Sequence, residues 1–189
     1  MTNAKKSVIM ENAEKKPITL ITDEIVDKVP YIQIVGYTNE QCAKIQEQHK
    51  ELLTYSRDNN NCNEVAFVLK SDMSRGEPIK GSDDKIEFSE LYGTDLTVLH
   101  NHPRNNSFSY NDLYFFYKND QVRTMTIVKN NGTVEYITKS NNFDEKIFDL
   151  EMSRMKKKIL KSGNDNDVLN FGKKFLSKSK SGVIWSGQY

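Results

Sequence analysis

The residue types best suited to catalysis lie close together in one segment, residues 100–112, which has the sequence HNHPRNNSFSYND. His100 and His102 are two residues apart near the end of a predicted strand, so both side chains point to the same face. Asp112 falls in the first turn of the helix predicted to follow, which can bring its carboxylate back over the strand end. Two histidines and one carboxylate leave the fourth tetrahedral position open, as in catalytic zinc sites. The segment therefore predicts a single zinc ion per chain.

A hydrolytic metal site also needs a general base that is not itself a metal ligand. Glu64 is the candidate, because it leads the apolar strand EVAFVL, where burial of an unpaired carboxylate would cost several kcal/mol. We predict that this strand lies beside the strand that ends at His100, with the site at the ends of both. Ser109 is a candidate donor of a hydrogen bond to a developing oxyanion.

These residues resemble the motif of a known family. Glu64, the tetrapeptide HNHP at 100–103 and the tetrapeptide SYND at 109–112 are similar to the JAMM motif of the JAB1/MPN/Mov34 metalloprotease family. The likeness covers roughly residues 31–138 and includes the order of predicted helices and strands. The spacer at 104–108 is one residue shorter than the usual one. The HNHP form is more similar to the bacterial and phage branches of the family, including RadC-type proteins.

The resemblance implies a fold, an activity and a role for each site residue. The fold would be an MPN/JAB-like curved mixed sheet packed with helices. The activity would be zinc-dependent hydrolysis of an amide or isopeptide bond in a protein or peptide. By the same likeness, zinc would be bound by His100, His102 and Asp112. Glu64 would take a proton from the zinc-bound water and pass it to the leaving amine, and Ser109 would stabilise the tetrahedral intermediate.

Each of these assignments has a structural alternative. Ser109 and Asp112 also match a capping box, which needs no metal. Glu64 could be an exposed residue at a strand start, and His100 and His102 could cap a loop. For the whole chain two other functions stay open: a protein-binding module that keeps the fold without catalysis, and a DNA-associated protein of RadC type.

The third histidine and one cysteine are assigned to the core or its boundary, and the second cysteine is assigned no catalytic role. His49 and Cys42 lie on the apolar face of a predicted helix. Cys62 precedes the Glu64 strand, and a nucleophilic pair of this thiol with His100 would lack a third, orienting group. The His-x-Glu and Pro-Cys-x-x-Cys signatures of zinc deaminases do not occur in the sequence.

The flanking sequence predicts a mixed α/β fold that positions these residues. Strands are predicted at 31–35, 64–69, 85–88 and 96–99, with a hairpin at 122–128 and 133–137 around Asn131-Gly132. Helices are predicted at 39–56, 109–117 and 143–161, the last with Phe143, Ile147, Met155 and Ile159 on its apolar side. We assign residues 1–16 to a disordered arm, 17–140 to the JAB/MPN-like domain and 141–189 to a helical extension with a basic tail.

Composition limits the classes of partner. The 27 basic and 26 acidic residues give a net charge of +1, which does not indicate a dedicated nucleic-acid binder. The basic run Arg154–Lys161 would complement the dipole at the end of its predicted helix. A patch for nucleic acid or an acidic partner is the alternative. No apolar stretch has the length of a membrane span or signal peptide, and two cysteines cannot form a disulfide scaffold, so we predict a cytoplasmic setting.

Overall fold

The computed structural model describes residues 16–188 of the chain. Its helices are α1 (Asp23–Asp27), α2 (Asn39–Asn60), α3 (Tyr110–Lys118), α4 (Glu145–Ser162), α5 (Asp165–Leu169) and α6 (Phe171–Leu176). Its strands are β1 (Val65–Leu69), β2 (Ile79–Lys80), β3 (Leu96–His102), β4 (Val122–Lys129), β5 (Val134–Lys139) and β6 (Val183–Trp185). The disordered arm predicted over residues 1–16 lies outside the described residues, apart from Lys16.

The strands form one six-stranded sheet in the order β2-β1-β3-β4-β5-β6. Within it β3 and β4 are parallel and are connected through α3, whereas the other neighbours pair antiparallel. The prediction of a mixed α/β fold is therefore confirmed. Every residue of β3 is buried, as expected for the central strand of a sheet covered on both faces.

Helices cover both faces of this sheet. On one face α2 buries the side predicted from its periodicity, and its first turn is closed by a capping box at Thr38. On the other face α3, α4 and α6 pack around aromatic side chains that include Phe116, Phe148 and Phe175. Because side chains alternate along β3, Val98 faces the aromatic core and Leu99 faces α2.

The start of β1 and the end of β3 lie side by side at the same end of the sheet. The antiparallel register pairs Ala66 with His100. Continuing that register by two residues places Glu64 opposite His102. This is the arrangement expected for Glu64 and His100, since the two strands were predicted to be neighbours with the site at their ends.

Two short strands predicted from composition are wrong. Residues 31–35 are β-rich but form no strand. Ile34 instead packs in the core under α2, where its backbone N–H faces the Cys42 thiol at 3.4 Å. Residues 85–88 are also irregular, and the edge strand of this region is β2, six residues earlier in the chain. Each segment contributes a few buried or half-buried apolar side chains from a loop, Ile34 in the first and Ile86 and Phe88 in the second. Composition alone does not separate such a loop from a paired strand.

The C-terminal segment completes the sheet and one core. The hairpin and the helix predicted from about 143 to 161 are confirmed, with Asp144 as N-cap and Gly163 as left-handed C-cap. The predicted apolar side of α4 is partly wrong, because Ile147 is 42% exposed while Phe148 and Met152 are buried. Strand β6 pairs with β5 and is the edge strand on that side of the sheet. No helix within residues 16–188 is both long and apolar enough to cross a membrane.

Candidate metal centre

The two histidines of β3 meet the first turn of α3 at one point. His100 and His102 lie on the face of the sheet that α3 covers, and both rings are almost fully buried. Their Nε2 atoms are 2.9 Å apart. The Asp112 carboxylate approaches both, with Oδ1 at 3.5 Å from Nε2 of His100 and Oδ2 at 3.4 Å from Nε2 of His102. The structure therefore brings the three predicted ligands together.

These distances fit the donor set of a small tetrahedral cation. Metal–ligand bonds of 2.0–2.1 Å imply that neighbouring ligand atoms lie about 3.3 Å apart. Each histidine nitrogen lies close to that distance from one of the two Asp112 oxygens, Oδ1 for His100 and Oδ2 for His102. The two histidine nitrogens are closer than it, so they would separate by a few tenths of an ångström around an ion. One ligand atom from each of His100, His102 and Asp112 lies within 4.8 Å of the others.

One histidine is oriented by a further hydrogen bond. His102 Nδ1 lies 3.0 Å from the carbonyl oxygen of Asn106. A ring N–H that donates there leaves Nε2 with its lone pair directed at the centre, as is usual for metal-binding histidines. Nδ1 of His100 is buried with no hydrogen-bond partner among residues 16–188. Burial lowers the pKa of His100. Burial also opposes protonation of His102, but Asp112, Glu64 and the Asn106 carbonyl together outweigh it and raise the pKa of His102.

The loop before α3 positions Asp112 through a capping box. The Asp112 N–H donates to Oγ of Ser109 at 3.1 Å, and the Ser109 N–H donates to Oδ2 of Asp112 at 2.6 Å. The capping box considered as an alternative is thus present, and the same carboxylate faces both histidines. Burial alone would raise the pKa of Asp112, but the two histidines hold it well below its ordinary value. Ser109 lines the cleft, and its hydroxyl hydrogen has no acceptor among the described residues.

Glu64 is buried at the start of β1, so the alternative of an exposed strand-start residue is wrong. Its backbone N–H donates to the Ser82 carbonyl and its carbonyl accepts from the Gly81 N–H, both at 2.8 Å. The side chain lines the same cleft as His102 and Asp112. Burial raises the pKa of Glu64 to about 8; His102 opposes this rise and the nearby carboxylates add to it. A carboxyl group with this environment can exchange a proton near neutral pH.

Asn101 supports the site from the opposite face of β3, and sequence reasoning assigned it no role. Its Oδ1 accepts from the Val65 N–H at 2.7 Å, which ties the residue after Glu64 to the strand of the histidines. Its Nδ2 donates to Oδ1 of Asn130 at 2.8 Å and to the Asn63 carbonyl at 3.1 Å. The only feature of the sequence that indicates a role for Asn101 is its position: a polar residue on a buried strand, on the face opposite the two histidines.

The centre lies in a cleft of about 540 Å³. One wall is apolar and includes Phe88 and Phe115, whose rings stack at 4.2 Å between centroids. Val168 and Leu169 of α5 also line the cleft, so the C-terminal segment contributes to the site. Sequence reasoning left the role of that segment open, because nothing local links residues 168–169 to the histidines. An apolar wall beside a polar centre is typical of a site that binds an organic ligand.

The other candidate residues lie away from the centre. His49 is in the core under α2, as predicted, with Nε2 at 2.6 Å from Oγ1 of Thr126. Cys42 and Cys62 are buried free thiols in the same core, on the opposite face of the sheet from His100. The geometry therefore gives no support to a nucleophilic pair of Cys62 with His100.

The basic run Arg154–Lys161 lies on the last turns of α4. Arg154, Lys157, Lys158 and Lys161 are exposed, while the Lys156 ammonium sits 4.2 Å from the centroid of the Tyr110 ring. This placement is compatible with dipole stabilisation of the helix end. Binding of nucleic acid or an acidic partner by the run stays the untested alternative.

The chain matches no protein-family model, no curated protein and no solved structure in comparisons with each. Its functional interpretation therefore depends on the chemistry of the centre.

Proposed function

We propose that this chain is a zinc-dependent metallopeptidase of the JAMM type, which hydrolyses an amide or isopeptide bond in a protein or peptide. The observation that carries the proposal is the convergence of His100, His102 and Asp112, within 3.5 Å of one another, in a cleft that Glu64 also lines. The buried free thiols of Cys42 and Cys62 agree with a reducing, cytoplasmic setting for this activity.

The proposed mechanism assigns binding and proton transfer to separate residues. Zinc held by His100, His102 and Asp112 would polarise the scissile carbonyl and lower the pKa of a water molecule to roughly 7. Glu64 accepts the proton of the attacking water as the C–O bond forms. It then delivers that proton to the amine nitrogen as the C–N bond breaks. The raised pKa of Glu64 suits both steps, because the carboxyl group can be protonated and deprotonated near neutral pH.

The Ser109 hydroxyl can both cap α3 and donate a hydrogen bond to the substrate. Its oxygen accepts the Asp112 N–H, which leaves its own O–H to donate into the cleft. There it would stabilise the negative oxygen of the tetrahedral intermediate. The capping box also holds Asp112 in place, so Ser109 both positions a ligand and contributes a donor.

The first experiment measures zinc per chain by elemental mass spectrometry in protein purified without added metal. About one zinc in the parent and almost none in His102→Ala would support the site. His49→Gln is the matched control, because it removes the remaining histidine of the chain from a position outside the cleft. Loss of zinc in both variants alike would contradict the assignment of ligands.

The second experiment separates binding of zinc from hydrolysis. Glu64→Gln keeps the shape of the side chain and removes its proton transfer, so the variant should retain zinc and lose activity on peptide and isopeptide substrates. Hydrolysis at the parental rate in this variant would overturn the mechanism.

A protein-binding module without catalysis is the second candidate. It is favoured by the direct contacts among His100, His102 and Asp112, which partly satisfy these polar groups without an ion. This candidate predicts a partner complex that survives His102→Ala. A protein that takes up no zinc even from excess zinc would favour it over the peptidase.

A further inference from the structure

A second, smaller cavity adjoins the cleft of the metal centre. It has a volume of about 90 Å³, which is ample for a compact polyatomic ion. Residues that line both cavities are Lys16, Asn106, Ser107 and Leu169. The segment 105–107 therefore forms the wall between them. Since the carbonyl of Asn106 accepts from His102 Nδ1, the smaller cavity begins next to a proposed metal ligand.

The charge around this smaller cavity is positive. Three lysines line it, Lys16, Lys129 and Lys173. Lys129 is buried and contacts Oε1 of Glu135 at 2.5 Å, while Ser107 donates to Oε2 of the same glutamate at 2.6 Å. Both oxygens of that carboxylate are thus engaged. Lys173 is exposed and forms no ion pair within 4 Å of a described carboxylate, although it is near enough to Glu135 to help lower the pKa of that carboxyl group. The lysines therefore leave a net positive charge at the cavity.

Amide groups supply further hydrogen-bond donors. The remaining polar lining consists of Asn105, Asn106, Asn166 and Asn170. Asn105 is held firmly, because its Nδ2 donates to Oγ1 of Thr19 at 2.7 Å and its Oδ1 accepts from the Asn131 N–H at 3.0 Å. Asn170 Nδ2 likewise donates to the Asn166 carbonyl at 2.8 Å, so Asn105 and Asn170 each keep one side-chain N–H beyond these bonds. A wall with ammonium groups and these N–H groups suits a compact anion, whose oxygens accept several hydrogen bonds at once.

We propose that this cavity binds an anionic group of the substrate, a carboxylate or a phosphate, next to the bond that is cleaved. The position beside the scissile bond rests on the proposed peptidase function, whereas binding of the anion does not. A carboxylate would come from a peptide terminus or an acidic side chain, and a phosphate from a phosphorylated residue. The small volume favours a compact group, so the cavity would select by charge and the apolar wall of the cleft by shape.

The test is a titration of the full chain, labelled with ¹⁵N, in the presence of a metal chelator and at constant ionic strength. The probes are inorganic phosphate, N-acetylglycine as a carboxylate, and N-acetylglycinamide as its neutral match. We expect saturable shifts of the amide signals of Asn105, Asn106 and Asn170 with at least one anion, and none with the neutral amide. The anion that binds identifies the source of the negative charge.

Charge variants decide whether the lysines are responsible. Lys173→Gln should weaken binding of the anion several-fold and Lys173→Glu at least tenfold, since residue 173 is exposed and the fold does not depend on it. Lys178→Glu is the control, an equal change of charge on an exposed lysine that does not line the cavity. Absence of saturable shifts, or equal loss in Lys173→Glu and Lys178→Glu, would overturn the proposal. The titration contains chelator, so binding of the anion is measured independently of zinc. A protein that binds the anion here but takes up no zinc in the separate metal analysis would contradict the peptidase function and still support the anion site.

Discussion

Replacement of Glu64 by glutamine should stabilise the metal-free protein at neutral pH, although it removes the proposed base. Burial raises the pKa of Glu64 to about 8 in the folded protein, from an ordinary value of 4.5. The folded state thus binds this proton more tightly than the unfolded state. The stability that the protonated group confers is complete below pH 4.5 and is lost as the pH rises towards 8. Glutamine resembles the protonated form at every pH, so the variant avoids the loss.

The expected size follows from the difference in pKa. Each unit of pH above 4.5 costs about 1.4 kcal/mol until the folded group titrates. At pH 7 the interval is about 2.5 units, so the parent should have lost about 3 kcal/mol relative to Glu64→Gln. At pH 4.5 the two proteins should differ little through this effect. The side chain is 9% exposed, so screening by solvent removes only a small part of this difference.

The assay is urea unfolding with chelator present, at several pH values between 4.5 and 7.5. The quantity of interest is the difference in unfolding free energy between parent and variant as a function of pH, because other titrating groups cancel in it. Glu77→Gln, which removes the same charge from an exposed position in the loop before β2, is the control. A pH dependence for Glu64→Gln no larger than that for Glu77→Gln would refute the assignment of a buried, proton-binding Glu64. Added zinc should narrow the difference, since a nearby cation favours the charged carboxylate.

Three further predictions concern the core, the cap and a close backbone contact. Burial lowers the pKa of His49 to about 3, so the folded parent should lose stability as the pH falls below 6.5. The loss should be about 2 kcal/mol at pH 5, and urea unfolding of His49→Gln should not show it. Ser109→Ala removes the cap that holds Asp112 and should cost about 1 kcal/mol together with weaker zinc binding in a competition assay, whereas Ser109→Thr should retain both. A Cβ at Gly172 would lie 2.1 Å from the Phe108 carbonyl oxygen, so Gly172→Ala should lower the free energy of unfolding by about 1–3 kcal/mol; an unchanged melting temperature would contradict the close contact.

The proposed ligands could be predicted from sequence because their placement is local. Alternation along β3 brings His100 and His102 to one face, and the first turn of α3 returns Asp112 to them within a short segment. The neighbouring position of β1 followed from the buried character of both strands. The apolar side of α2 was predictable for the same reason, since helical periodicity reports directly on one covered face.

The remaining features depend on contacts between distant segments. Residues 31–35 have strand composition but pack against α2 as a loop, while β2 and β6 form the two edges of the sheet. Val168 joins the cleft only because α5 folds back over it. Asn101 bonds to Val65 and Asn130 across the sheet, and no local pattern reveals those partners. Position in the fold, more than residue type, decides these roles.

The proposed metal ligands and the proposed base are brought together by contacts of very different sequence separation. Residues 100–112 form one strand–loop–helix unit, whose closure requires only a short loop. Glu64 joins them only when β1 pairs with β3, a contact that spans 36 residues between Val65 and Asn101. We therefore expect that a chain with β1 detached could still capture an ion, but without the group that moves the proton. Retained metal would then report the folding of one local unit, and turnover would report the folding of the whole sheet.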